Sequence, residues 1–147
     1  MVKVKVIFLD FDGVLHATIG KGASMREFVW LPILKDLISN RDDCKIVIHS
    51  SYRRTHKPEY LRERLGLGKD VFLGVTLPTL DRWVSIQDWL RRNRSWVESF
   101  RILDDQAFEF PNPAPAELIL CDGRKGVSDE RVQRELLAWL HANRGVQ

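Results

Sequence analysis

Apolar positions recur in two rhythms along this chain. Residues 2–9 (VKVKVIFL) alternate and then run continuously apolar, the pattern of a strand entering a sheet covered on both faces. Residues 45–49 (KIVIH), 71–75 (VFLGV), 100–103 (FRIL) and 118–121 (LILC) are further short apolar or β-branched runs. Helical spacings lie between them. Leu31, Leu34, Leu37 and Ile38 share one helical face, with Pro32 at a first-turn position. Ser24 and Glu27 have the spacing of a capping box and offer an earlier start, which Pro32 argues against. Residues 58–65 form a short helix candidate. Ser85 with Asp88 is expected to cap a helix carrying Ile86, Trp89 and Leu90. Ser128 opens a last helix, with Asp129 and Glu130 in its first turn, Val132, Leu136, Leu137 and Leu140 on one face, and Gly145 just past its end.

Strands alternating with helices predict an α/β fold built on a parallel sheet. In such sheets, sites form beyond the carboxyl ends of the strands, so the residues directly after each apolar run carry the information. No internal repeat or linker interrupts the pattern, and PNPAP (111–115) reads as a stiff loop. One domain over residues 1–147 is expected. Apolar residues at 44% and charged residues at 29% are ordinary for a globular protein. The net charge of +3, with a pI near 9.0, permits an anionic partner without demanding one. Cys44 and Cys121 each border an apolar run and read as small buried thiols. They cannot make a zinc site alone, and His16, His49, His56 and His141 show no paired ligand spacing. The first residues lack the long apolar run and cleavage site of a signal peptide, and no stretch approaches the roughly 18 apolar residues of a membrane span. A soluble, cytoplasmic protein with no membrane partner is expected.

The first strand ends in Asp10-Phe11-Asp12-Gly13-Val14-Leu15. Two carboxylates flank one apolar residue, an arrangement that is repulsive unless a cation lies between them. Gly13 lets the backbone turn sharply and pass close to a ligand. Ser50 and Ser51 follow the second strand, with hydroxyls suited to phosphate oxygens, and Asp104 and Asp105 follow the fourth. Hard oxygen donors in this number suit Mg²⁺, which keeps waters and accepts a few carboxylates plus a substrate phosphate oxygen. A carboxylate can also attack phosphorus and divide one difficult step into two.

DFDGVL resembles the first motif of the haloacid dehalogenase (HAD) superfamily, IVIHSS its second and ILDD its fourth, all in the family's order. More narrowly, IHSSYR, then Arg82, Ile86, Gln87, Trp89 and Leu90, then ILDD and Gly126-Val127-Ser128, resemble the HAD domain of Swiss Army Knife RNA repair proteins. The resemblance implies a three-layer Rossmann-like core with a parallel sheet and little or no cap. It implies a Mg²⁺-dependent phosphomonoester hydrolase in which Asp10 is the nucleophile and a metal ligand. Asp12 would protonate the leaving alkoxide, then activate water, and bind the metal through its backbone carbonyl. Ser50 falls at the phosphate-binding hydroxyl, with Ser51 as the fallback, and Gly13 and Arg53 border the substrate. Asp105 matches the metal-ligating aspartate. Asp104 would then orient the metal site or the basic residue.

The family's third motif usually supplies a lysine between the second and fourth motifs. Only Lys57 and Lys69 lie there. The subfamily resemblance points instead to Arg82, ahead of the Ser85 helix; Lys57, Arg53 and Arg54 are the alternatives. Arginine is always charged and binds phosphate through two nitrogens. His16 and His49 flank the expected cleft and read as structural. Arg91, Arg92 and Arg94 read as a helix C-terminus meeting its dipole. The five tryptophans read singly as core or rim rather than as base-stacking groups. Too few residues separate the motifs for a large cap, so the site should be open, closed at most by the hairpin-like HATIGKGAS segment. An open site favours large phosphorylated substrates, and the subfamily resemblance favours polynucleotide ends. A small-metabolite or nucleotide phosphatase and a catalytically silent binding module are the competing readings.

Overall fold

A computed structural model describes residues 2–142. Gly145, expected beyond the last helix, lies outside them. The regular elements are β1 (Val4–Leu9), α1 (Leu31–Ile38), β2 (Cys44–Ile48), α2 (Pro58–Leu65), β3 (Phe72–Val75), α3 (Arg82–Asn93), β4 (Val97–Asp104), β5 (Leu118–Leu120) and α4 (Glu130–Leu140). The strands form a parallel sheet in the order β3-β2-β1-β4-β5. The chain therefore has the α/β, Rossmann-like architecture expected from its alternation.

The continuous apolar run of β1 is explained by its central place. Ile7 and Leu9 join a core with Leu31 and Leu34 of α1, Leu61 and Leu65 of α2, and Val132 and Leu136 of α4. Val6 and Phe8 point to the other face and pack with Val47, Ile102 and Ile86 and Trp89 of α3. Successive residues of one strand thus bury into two cores, which gives three layers. Trp30, Trp89 and Trp139 are buried, and so are both thiols. Burial pushes the Cys44 thiol up to about 12 and raises that of Cys121 as well. No helix of the described residues is long and apolar enough to cross a membrane.

Several boundaries differ from the sequence pattern. α3 begins at Arg82 with Asp81 at its N-cap, so Ser85 lies within the helix and does not cap it. Its buried hydroxyl donates to Arg82 O at 2.7 Å and can accept from the Thr76 hydroxyl at 2.9 Å, tying the first turn to the end of β3. α4 is capped by Asp129, whose carboxylate accepts from Arg131 N, while Ser128 belongs to a preceding 3₁₀ turn. β4 starts three residues before the expected 100–103 run, because Val97 and Ser99 pair with β1 although Glu98 and Ser99 interrupt the apolar pattern. The Ser24–Glu27 box starts no α-helix; only a 3₁₀ turn (Gly22–Met25) forms there. The HATIGKGAS segment contains no hairpin strands; it is a loop closed by Ala17 N donating to Ser24 O at 2.7 Å.

Lys5 is the largest departure from the alternation. It occupies a polar position in VKVKV, yet it is 1% exposed. Its ammonium donates to Trp139 O at 2.8 Å, Leu140 O at 3.0 Å and Ala142 O at 3.2 Å, with Glu98 at 3.8 Å. The last turn of α4 carries no basic residue of its own, so Lys5 supplies both the hydrogen bonds and the positive charge that a helix C-terminus lacks. Lys5→Met should therefore lower unfolding stability by about 2–4 kcal/mol, read from a denaturant midpoint, since it strands buried carbonyls. A midpoint within error of the wild type would refute this role.

Candidate active site

The sheet order places the ends of β2, β1 and β4 side by side. Backbone bonds hold these ends level: His49 N donates to Leu9 O at 3.1 Å, and Asp10 N to Leu103 O at 3.1 Å. Asp10, Ser50, Asp104 and Asp105 consequently meet along one edge, as the reading of the strand ends expected. Carboxylate oxygens of Asp10, Asp104 and Asp105 all lie within 4.8 Å of one another.

This cluster is buried, which makes its charge costly. Asp10 is 2% exposed and Asp104 fully buried. Burial, then the charge of Asp104, hold the Asp10 carboxyl well above the usual carboxylate range, against the pull of Arg82. Burial and Asp104 also raise Asp105. Burial alone would raise Asp104, but its hydrogen bond to His49 and the charge of Arg82 bring it below its ordinary value. A single nitrogen of Arg82, Nη1, donates to Asp10 Oδ2 at 3.0 Å and to Asp104 Oδ2 at 2.8 Å. Arg82 begins α3, and the Ser85 bonds described above fix that turn. Lys57 and Lys69 are exposed, at the N-cap of α2 and in the turn before β3.

The two adjacent aspartates are used differently. Asp104 Oδ2 takes His49 Nε2 at 2.8 Å and Arg82, and its Oδ1 accepts from Gln106 N at 2.9 Å. Asp105 Oδ1, in contrast, is buried and has no hydrogen-bond partner among the described residues. Such an atom calls for a cation or a bound water. Gly13 is what admits Asp105: a Cβ there would stand 2.0 Å from Asp105 Oδ2, and φ is +77°. The hard-oxygen donors and the uncommitted Asp105 oxygen fit a divalent ion such as Mg²⁺.

Asp12 is not part of this cluster, and its side chain is half-exposed. Its Oδ1 lies 2.7 Å from His16 Nε2, while His16 Nδ1 accepts from Phe28 N at 3.2 Å. Because the backbone N–H occupies Nδ1, the proton sits on Nε2 and is donated to Asp12. Ser50 is buried, and its hydroxyl oxygen accepts from Tyr52 N at 3.2 Å, which leaves its O–H free to donate. Ser51 is exposed.

Arg53, expected to face substrate, is instead 4% exposed. Its guanidinium donates to His49 O at 2.8 Å, Ser50 O at 3.2 Å, Leu77 O at 3.4 Å and Leu80 O at 2.6 Å. Those bonds stitch the end of β2 to the segment leading into Arg82. Burial, then Arg54 and Arg82, push Arg53 down to about 10. Arg54 likewise donates to Pro78 O and Leu80 O. Sequence reasoning missed the pairing of His16 with Asp12, for which the i, i+4 spacing was the available signal. It also missed Glu109, whose charge acts on Arg82, and nothing in the local pattern marked it.

A cavity of about 600 Å³ lies elsewhere, between α3 and the first half of β4, lined by Trp83, Leu90, Arg94, Phe100 and Glu117 among others. It holds none of Asp10, Asp104 and Asp105 and sits at the opposite end of β4, so the strand-end cluster remains the candidate site.

The description of the family model that matches residues 6–132 is the HAD domain in Swiss Army Knife RNA repair proteins. No curated protein and no solved structure gives a match. The match suggests a HAD-type phosphohydrolase, in keeping with the acidic cluster at the strand ends. Since it spans most of the sequence, the chain belongs to the family of HAD domains found in Swiss Army Knife RNA repair proteins.

Proposed function

We propose that the protein is a Mg²⁺-dependent phosphomonoesterase that works through an aspartyl phosphate on Asp10 and acts on polynucleotide ends. The observation that carries this reading is the convergence of Asp10, Asp104 and Asp105 on one edge with Arg82 between the first two. Asp10, Asp105 and the backbone carbonyl of Asp12 would hold Mg²⁺, which when bound offsets the repulsion between a carboxylate and an anionic phosphate.

An Asp10 carboxylate oxygen attacks phosphorus, and the bond from phosphorus to the ester oxygen breaks. Asp12, protonated for this step, gives its proton to the departing alkoxide; it stands two residues after Asp10, and His16 fixes the direction of its carboxyl. Asp12 then takes a proton from water, whose oxygen attacks phosphorus and frees Asp10 and inorganic phosphate. Arg82 holds Asp10 in place and balances charge on the transferred phosphoryl group. The Ser50 O–H donates to a phosphate oxygen. Asp104 and His49 fix the guanidinium, and Arg53 holds the loop beneath it. Among the described residues the β1–α1 connection is a loop with a single 3₁₀ turn and no inserted cap domain, which suits a large substrate.

Turnover of an aryl phosphate should require Mg²⁺ and be inhibited by Ca²⁺, whose larger, looser coordination would misplace Asp10. Full activity in excess chelator would overturn the reading. Asp104→Ala should raise the Mg²⁺ concentration for half-maximal rate by about 10- to 100-fold, the range for outer-shell partners, and Asp105→Ala should raise it further. The opposite order would reverse the two assignments. Hydrolysis of terminal phosphates from oligonucleotides, compared with mononucleotides, tests the substrate class.

A further inference from the structure

A row of aromatic rings begins between the two carboxylates and is not used by the chemistry above. Phe11, between Asp10 and Asp12, meets Tyr52 edge-on at 5.1 Å. Tyr52 stacks on His56 with centroids 5.6 Å apart and planes at 22°. His56 then meets Tyr60 at 5.0 Å. The charges of Asp12 and Asp10, after burial, raise the Tyr52 phenol, as expected of a ring that starts at the site. The far end is open: His56 is exposed and Tyr60 is 41% exposed.

Phe28 stands opposite, edge-on to Phe11 at 5.1 Å. Arg64 lies over the Phe28 ring at 5.6 Å and pairs with Glu27. Between Phe28 and the row is a cavity of about 110 Å³, whose lining carries both Arg64 and its partner Glu27. Exposed Lys57 precedes α2 on the same segment.

The position of this slot decides what it holds. It adjoins Asp12 through His16, whose ring bonds Asp12 on one nitrogen and Phe28 N on the other. Asp12 is the group proposed to protonate the leaving oxygen, so the slot opens where the organic half of the ester departs. Ring faces and edges suit a planar aromatic group, and the Arg64 guanidinium, shared with Glu27, can meet an anionic chain attached to it. An aliphatic sugar phosphate or a peptide would use neither feature fully.

We infer that the slot formed by Phe28, Tyr52, His56 and Tyr60 stacks the base of the nucleotide bearing the terminal phosphate of a single-stranded polynucleotide. The inference rests on the proposed phosphomonoesterase reading and adds to it the residues that select the leaving group. Stacking on an aromatic side chain tolerates any base, so the slot confers preference for a nucleotide over a plain alkyl phosphate without preference for one sequence.

The test uses two oligoribonucleotides with the same phosphorylated end, one intact and one abasic at the terminal nucleotide. In the wild type, loss of the base should lower kcat/KM by roughly 5- to 100-fold, mainly through KM. In Tyr60→Ala or His56→Ala that penalty should shrink to within about twofold, and Tyr60→Phe should restore it, because the ring and the base are coupled only through each other. No penalty in the wild type, or an equal penalty in the alanine variants, would overturn the stacking slot while leaving the phosphomonoesterase reading intact. Turnover of an aryl phosphate with no turnover of either oligonucleotide would overturn the polynucleotide reading and the slot together.

Discussion

Asp10→Asn should lower aryl phosphate turnover by about 10⁴-fold or more, the scale for deleting a nucleophile whose partners act as a unit. The substitution keeps the shape of the side chain and removes its charge. It should not cost stability. Asp10 sits 2% exposed beside Asp104, and burial together with that neighbour already disfavours its ionised form. An uncharged amide relieves the repulsion, so the metal-free variant should melt no lower than the wild type. Activity within about tenfold of wild type would exclude a covalent role for Asp10, and a collapsed Tm would instead make it a structural residue.

Arg82→Ala should lower kcat/KM by roughly 10²–10³-fold, the cost of one preorganised electrostatic donor. The loss has two parts. The guanidinium is the contact that joins Asp10 Oδ2 and Asp104 Oδ2, so its removal frees the nucleophile to reorient. It also leaves buried carboxylates facing one another with less opposing charge. Arg82→Lys should recover part of the activity. One ammonium can span both carboxylates, as Nη1 does here, but it offers no second nitrogen in a fixed fork for the phosphoryl oxygens. Lys57→Ala should leave aryl phosphate turnover within about twofold of wild type, because Lys57 is exposed at the start of α2. A large loss in Lys57→Ala with little in Arg82→Ala would move the cation to the lysine.

The candidate site was legible in the sequence wherever a strand delivered it. Asp10, Ser50 and the Asp104–Asp105 pair each follow an apolar run, and parallel strands in register carry their ends to one edge whatever the loops do. The two cores were legible for the same reason, since β1 and β2 are apolar on both faces. Roles that depend on where a side chain turns were less visible. Arg53 and Arg54 are neighbours after the same strand and both reach carbonyls of the segment 77–80, far away in sequence, yet only Arg53 turns inward to His49 O and Ser50 O and is buried. Lys5 reads as solvent-facing by alternation and is buried because α4 ends over it, 134 residues later. Ser85 reads as a cap because its chemistry suits one, but its hydroxyl is taken by Thr76, which only the fold brings near. The Tyr52–His56–Tyr60 row escaped notice because its spacing reads equally well as an ordinary helix face.

The proposed mechanism turns on a phosphate passing through Asp10. Wild-type protein mixed with Mg²⁺ and an aryl phosphate carrying a radiolabelled phosphoryl group, then quenched in acid within the first turnover, should carry label on the peptide containing Asp10. That label should be released by hydroxylamine, as an acyl phosphate is, and be missing from Asp10→Asn. Turnover with no labelled protein at any quench time, or label on a different residue, would contradict the mechanism.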